Sequence, residues 1–135
     1  MSSSRDELKK LALAALEFSY SPYSQKRIGA AVKLSNGKIY SGCNIENASY
    51  GGTVCAERVA IWKAYSENSN DVKITEIMVA SEAHNPWPPC GLCRQVMAEF
   101  ATPETKIMIT NHHSGRDYLF KDLFPEAFSP RNFDE

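Results

Sequence analysis

The sequence predicts an α/β fold, a three-layer α-β-α sandwich on a five-stranded mixed sheet whose last two strands form an antiparallel hairpin. Three observations predict it. The N-terminal stretch repeats apolar residues with a helical period, two apolar runs flank an Asn-Gly turn signal, and strand-like and helix-like segments then alternate. The predicted order is α-β-β-α-β-α-β-β.

The first helix is carried by Leu8, Leu11, Ala12, Ala15 and Leu16, spaced as one buried face. Ser4 and Glu7 match a capping box at its start. Pro22 is the latest position at which it can end. Ile28 to Leu34 is an apolar strand, Asn36-Gly37 a hairpin turn, and Ile39 to Asn44 the returning partner. A second helix is expected from about Val54 to Ser66, a third strand over Ile74 to Ser81, a third helix over Gly91 to Phe100, and a fourth strand over Lys106 to Thr110. The link from Asn111 to Arg116 is too short for a parallel crossover, so a last strand near Asp117 to Phe120 should pair antiparallel with the fourth. The tail from Leu123 to Glu135 carries no periodic pattern. Trp62 and Phe100 fall on helix faces and are expected in the core.

Composition bounds the function. With 135 residues, 43% hydrophobic and 23% charged, the chain reads as one domain over residues 1–135, not a disordered one. Fifteen Lys and Arg against sixteen Asp and Glu give a net charge of −1, which argues against coating a polynucleotide. The longest apolar run, Leu11 to Leu16, is far short of the ~20 residues of a membrane span. The first seven residues show no signal-peptide pattern, so a cytoplasmic location is expected. Four cysteines there are metal ligands or free thiols rather than a disulfide framework.

Three of those cysteines form one constellation. Cys55-Ala56-Glu57 opens the second predicted helix, and Pro89-Cys90-Gly91-Leu92-Cys93 opens the third. Helix N-termini carry partial positive charge and lower thiol pKa, and Zn²⁺ is the natural metal for thiolates. Three protein ligands with an open fourth position mark a catalytic rather than a structural zinc site. A zinc-bound water has a pKa near 7, and Glu57, two residues after Cys55, is placed to take its proton. Three thiolates on one zinc leave a local charge of −1, which Arg58 would offset; a surface arginine is the plain alternative. Cys43, on a strand, reads as a small buried hydrophobe. His112 and His113 fall in the last hairpin turn and read as solvent-exposed.

The C-A-E and P-C-x-x-C pair resembles the zinc-deaminase signature. The wider string resembles the small homotetrameric cytidine deaminases of the cytidine and deoxycytidylate deaminase family. It comprises Ser21-Pro22-Tyr23-Ser24, Gly29-Ala30-Ala31, Gly42 to Ala48, Cys55 to Arg58, Pro89 to Gln95, and Phe124 to Phe128. The match runs from about Leu8 to Phe128. The resemblance implies hydrolytic deamination of cytidine and 2′-deoxycytidine in pyrimidine salvage. It implies one Zn²⁺ per chain on Cys55, Cys90 and Cys93, Glu57 as proton carrier, and a homotetramer with shared active sites. It also implies that Asn44 and Glu46 bind the ribose hydroxyl; spaced i, i+2 on a strand end, they would point the same way. Tyr23, Tyr50 and Phe128 match aromatic positions around the family's pocket, partly across subunits.

One position departs from the family. Two residues after S-P-Y-S the family usually has an aromatic against the base, and here Lys26 stands there. Aromatic stacking is worth ~1–3 kcal/mol per base in single-strand binding proteins, so its loss should weaken or redirect base recognition. Trp87 either replaces that ring or covers the core. Three other readings follow: a deaminase of an N4-substituted or antibiotic cytosine nucleoside, a structural-zinc binding module, and a polynucleotide editor.

Overall fold

The computed structural model describes residues 4–134. Its elements are α1 (Ser4–Leu16), β1 (Ile28–Leu34), β2 (Ile39–Cys43), α2 (Ala56–Tyr65), β3 (Ile74–Ser81), α3 (Gly91–Phe100), β4 (Ala101–Thr110), β5 (Gly115–Leu119) and α4 (Phe120–Leu123). The five strands form one sheet in the order β2-β1-β3-β4-β5. Only β3 and β4 run parallel; the β1–β2, β1–β3 and β4–β5 pairs are antiparallel. The predicted mixed sheet and closing hairpin are therefore present.

Strand pleating divides the apolar side chains between the two faces. Ala31, Met78, Ala80 and Met108 pack with Leu8 and Ala12 of α1. Ala30, Val32, Ile77, Val79, Ile107 and Ile109 pack on the other face with Ala60 and Ile61 of α2 and Cys93 and Met97 of α3. Neighbouring residues thus feed opposite cores, and one helix covers one face while α2 and α3 cover the other. Two glycines let helices come this close. A Cβ on Gly29 would meet the Ala12 carbonyl oxygen at 1.9 Å, and one on Gly42 would meet the Ala60 nitrogen at 2.7 Å. Gly42 thereby seats α2, with its metal-site residues, directly on β2.

Several expectations need correction. Ser4 is the first residue of α1, and its hydroxyl does not cap it: it donates to Glu76 Oε2 at 2.5 Å and accepts from Lys33 Nζ at 3.1 Å. The fourth strand begins at Ala101, not Lys106. Ala101 pairs with Ile74, and the register then shifts before Glu76 pairs with Lys106. The Thr105 hydroxyl donates to the Ile74 carbonyl at 2.6 Å across this irregularity, so a Thr-Pro-Glu-Thr run that reads as a loop is bound to the start of β3. The last strand ends at Leu119, because Phe120 turns inward to start α4 and is buried. The patternless tail contains a short 3-10 turn over Pro130–Asp134. Phe100 stacks on Tyr65 with ring centroids 3.6 Å apart and packs against the core as expected. Trp62 is not a core residue: it is 53% exposed and lies beneath the Arg58 guanidinium, 5.8 Å from its ring centroid. Cys43 is half-buried rather than buried, and burial pushes its thiol pKa up.

Candidate metal centre

Two helix starts converge at one end of the sheet. Cys55 is the N-cap of α2 and Cys90 the N-cap of α3, both with extended backbone, and Cys93 lies in the first turn of α3. The Cys55 and Cys90 sulfurs are 3.9 Å apart, and all three Sγ atoms lie within 4.8 Å of one another. A tetrahedral zinc with ~2.3 Å Zn–S bonds has sulfurs ~3.8 Å apart, so the cluster fits that metal in both donor type and spacing. Among the described residues it is the only group of three or more candidate ligands that could hold a metal.

Charge at the cluster is uneven. The hydrogen bond with Cys93 pulls the Cys55 thiol down to about 5, assisted by Arg58 and opposed by burial. The same hydrogen bond, with burial, pushes Cys93 up. Arg58 Nη2 donates to Cys55 Sγ at 3.4 Å, while its buried Nε finds no partner in the protein. The guanidinium is therefore held at the Cys55 sulfur and is not a free surface cation. Glu57, one helical step from Arg58, is only 4% exposed. Burial, and secondarily the Cys55 charge, raise its carboxyl to about 7.

The cluster opens onto a cavity of about 330 Å³. Cys55, Cys90 and Glu57 form one end, Asn44 and Glu46 line it, and Lys26 and Trp87 stand on its wall. The segment holding Asn44 and Glu46 is pinned because Ile45 bridges to Tyr20 on one side and to Val54 on the other. That extends the strand alternation one step past β2: Asn44 and Glu46 are buried while Ile45 is exposed, as the i, i+2 spacing predicts.

Both polar side chains also shape the loop before β1. Asn44 Oδ1 accepts from the Ile28 N–H at 2.9 Å and the Ser19 hydroxyl at 2.5 Å, and its Nδ2 donates to the Lys26 carbonyl at 2.8 Å. Glu46 Oε1 accepts from the Tyr23 and Ser24 N–H groups, and Oε2 from the Ser24 hydroxyl. The Ser24 hydroxyl and these N–H groups lower the Glu46 pKa. By donor and acceptor count, Asn44 keeps one N–H and Glu46 Oε2 one lone-pair direction for a ligand.

Three sequence-predicted residues do not reach the cavity within one chain. Tyr23 and Tyr50 make an edge contact, 5.9 Å between ring centroids, and both are exposed, Tyr50 at 77%. Phe128 is exposed and packs on Phe133. Other residues gain a role that single-residue reading missed. Arg94 donates to the Pro89 carbonyl at 2.8 Å and the Leu123 carbonyl at 2.6 Å, tying the zinc loop to α4. Gln95 donates to the Phe128 carbonyl at 2.9 Å. Their signal was the Arg-Gln pair directly following C-x-x-C.

Comparison with known proteins agrees with this geometry. Residues 2–109 match the family model described as the cytidine and deoxycytidylate deaminase zinc-binding region. A cytidine deaminase of Halalkalibacterium halodurans is 43% identical over 97% of this chain and 98% of its own length. The crystal structure of a cytidine deaminase from Burkholderia pseudomallei superposes with a TM-score of 0.86 at 40% identity, covering 93% of this chain and all of that one. That of Mycobacterium tuberculosis superposes with a TM-score of 0.79 at 31% identity, covering 94% and 98%.

Proposed function

The chain belongs to the cytidine and deoxycytidylate deaminase family, and from that membership we propose that it hydrolyses the amino group of cytidine and 2′-deoxycytidine, giving uridine and 2′-deoxyuridine plus ammonia. The observation that carries this reading is the position of buried Glu57. It shares one cavity with a three-thiol cluster at one end and with Asn44 and Glu46.

The family is zinc-binding, and we assign one zinc per chain to Cys55, Cys90 and Cys93. When bound, the metal supplies Lewis-acid activation that brings water's ionisation near neutral pH. Arg58 offsets the excess negative charge of three thiolates through its bond to Cys55. Glu57 accepts a proton from the attacking water, delivers it to N3 of the pyrimidine, and serves the departing amine at the exocyclic nitrogen. Its burial excludes bulk water from that relay. The free N–H of Asn44 and the free lone pair of Glu46 match a sugar hydroxyl, which both donates and accepts.

The chain acts as one domain over residues 1–135 and as a homotetramer. Tyr50 and Phe128 support assembly, because they match pocket positions of the family yet stay exposed and short of the cavity within one chain. Tyr23, Tyr50 and Phe128 then complete pockets across subunits. No helix among the described residues is long and apolar enough to cross a membrane. Thiolate ligands are consistent with a reducing cytoplasm. An ultraviolet assay over a panel of free nucleosides, bases and nucleotides tests the activity: turnover confined to oligonucleotides, or none on any cytosine nucleoside, rejects it. Light scattering tests the assembly, with four times the 15.1 kDa chain mass expected.

A further inference from the structure

We propose that the nucleoside cavity continues into a second, smaller compartment that receives an oxygen-bearing, preferentially anionic substituent carried on the cytosine ring. The inference rests on reading the larger cavity as the nucleoside site. The smaller compartment has a volume of about 130 Å³ and shares Lys26, Ile28 and Trp87 with the larger one. That is several times the ~10–15 Å³ that one water needs, so it has room for a carboxyl or acyl group. Neither Asn44 nor Glu46 lines it, and none of the three thiols does. It is reached past Lys26 and Trp87, which with Ile28 line both cavities.

Two groups in it lack partners. Ser81, at the end of β3, is 2% exposed and its hydroxyl oxygen finds no hydrogen bond in the protein. A buried hydroxyl left this way is destabilising, which a ligand oxygen would relieve. Among the described residues no carboxylate pairs with Lys26, whereas Arg27 and Glu82 neutralise each other through bonds of 2.9 and 2.7 Å. Lys26 is therefore the lining residue whose charge no carboxylate offsets. The walls are also fixed. Gln25 is held in a left-handed conformation, φ 59°, with its N–H on the Ser21 carbonyl. Across the compartment, Asn111 donates to the carbonyls of Ala83 and His84 at 2.9 Å each.

The reaction is unchanged in its atoms. Water oxygen bonds to C4, the C4–N bond breaks, and the amine leaves with a proton. A substituent on C5 stays on the product, while an N4-acyl group leaves as the amide.

The test measures binding and turnover separately. Calorimetry with the zinc-loaded protein compares uridine, 5-methyluridine and 5-carboxyuridine; kinetics compare cytidine, 5-carboxycytidine and N4-acetylcytidine. We expect 5-carboxyuridine to bind about tenfold tighter than uridine, with 5-methyluridine no better than uridine, and Ser81→Ala to remove most of that gain while cytidine turnover stays within about twofold. A Ser81-dependent gain seen only with N4-acetylcytidine places the oxygen on the N4 side. Absence of a Ser81-dependent gain for both carriers overturns the proposal, as does an equal loss for cytidine. Should Ser81→Ala fail to fold, the wild-type series decides: 5-carboxyuridine binding no better than 5-methyluridine, together with N4-acetylcytidine turned over no better than cytidine, overturns the proposal. Failure to deaminate cytidine, with 5-carboxyuridine still bound preferentially, would reject the assigned activity and leave the compartment standing.

Discussion

The two walls of the cavity are built by different physics. The metal wall consists of two helix starts whose next turns belong to the main core: Cys93 packs with Met97, and Ala56 with Ala60. The facing wall is a loop, residues 19–27, held mainly by hydrogen bonds to Asn44 and Glu46. One wall is fixed by apolar packing, the other by buried polar groups. The proposed catalytic groups thus sit on the stiff side, and the proposed sugar-binding groups on the side that a few side chains can reshape.

Breaking the metal wall should have the largest effect. Cys90→Ala should reduce zinc to near none by elemental analysis, abolish turnover, and lower Tm, because metal binding is coupled to folding. Unchanged zinc content would place the ligands elsewhere. Glu57→Gln should separate chemistry from architecture on the same wall. Zinc and Tm stay, while kcat falls by ~10²–10⁴; more than about a tenth of wild-type activity would remove Glu57 from the role.

The loop wall should answer differently. Asn44→Ala leaves the Ile28 N–H and the Lys26 carbonyl without their partner, each loss worth ~1–3 kcal/mol if water does not replace it. Zinc should remain near one per chain, while KM rises and Tm falls together. A rise in KM with Tm unmoved would mean that Asn44 serves only the sugar. Lys26→Phe should act more gently, lowering KM for cytidine several-fold with little change in kcat, as stacking of up to ~1–3 kcal/mol favours ground and transition states alike. The smallest effect belongs to Arg27→Gln. Its partners Glu17 and Glu82 are solvent-accessible, so the midpoint of chemical denaturation should barely move.

The same contrast explains what was legible in the sequence. Cys55, Glu57, Cys90 and Cys93 were readable because their spacing states both the helix start and the ligand set. β1 and β3 were readable as short apolar runs because the sheet buries both of their faces. The loop wall was harder. Lys26 could be aligned to the cavity only through S-P-Y-S, and its position on the wall follows from a left-handed Gln25 that no motif announces. Trp62 misled because a helical spacing does not say which face a neighbouring arginine will claim. The Ala101 start of β4 was hidden because a Thr hydroxyl, not a ladder amide, binds the start of β3 at Ile74.

The two tryptophans are optically inequivalent. Trp87 stands on the wall common to both compartments, and Trp62 lies outside them beneath a cation. Replacing Trp62 by Phe keeps a ring under Arg58 and leaves a single indole where the two cavities adjoin. Its emission then serves as an intrinsic fluorescence gauge: quenching and spectral shift follow occupancy of the cavity in real time, without label and without turnover.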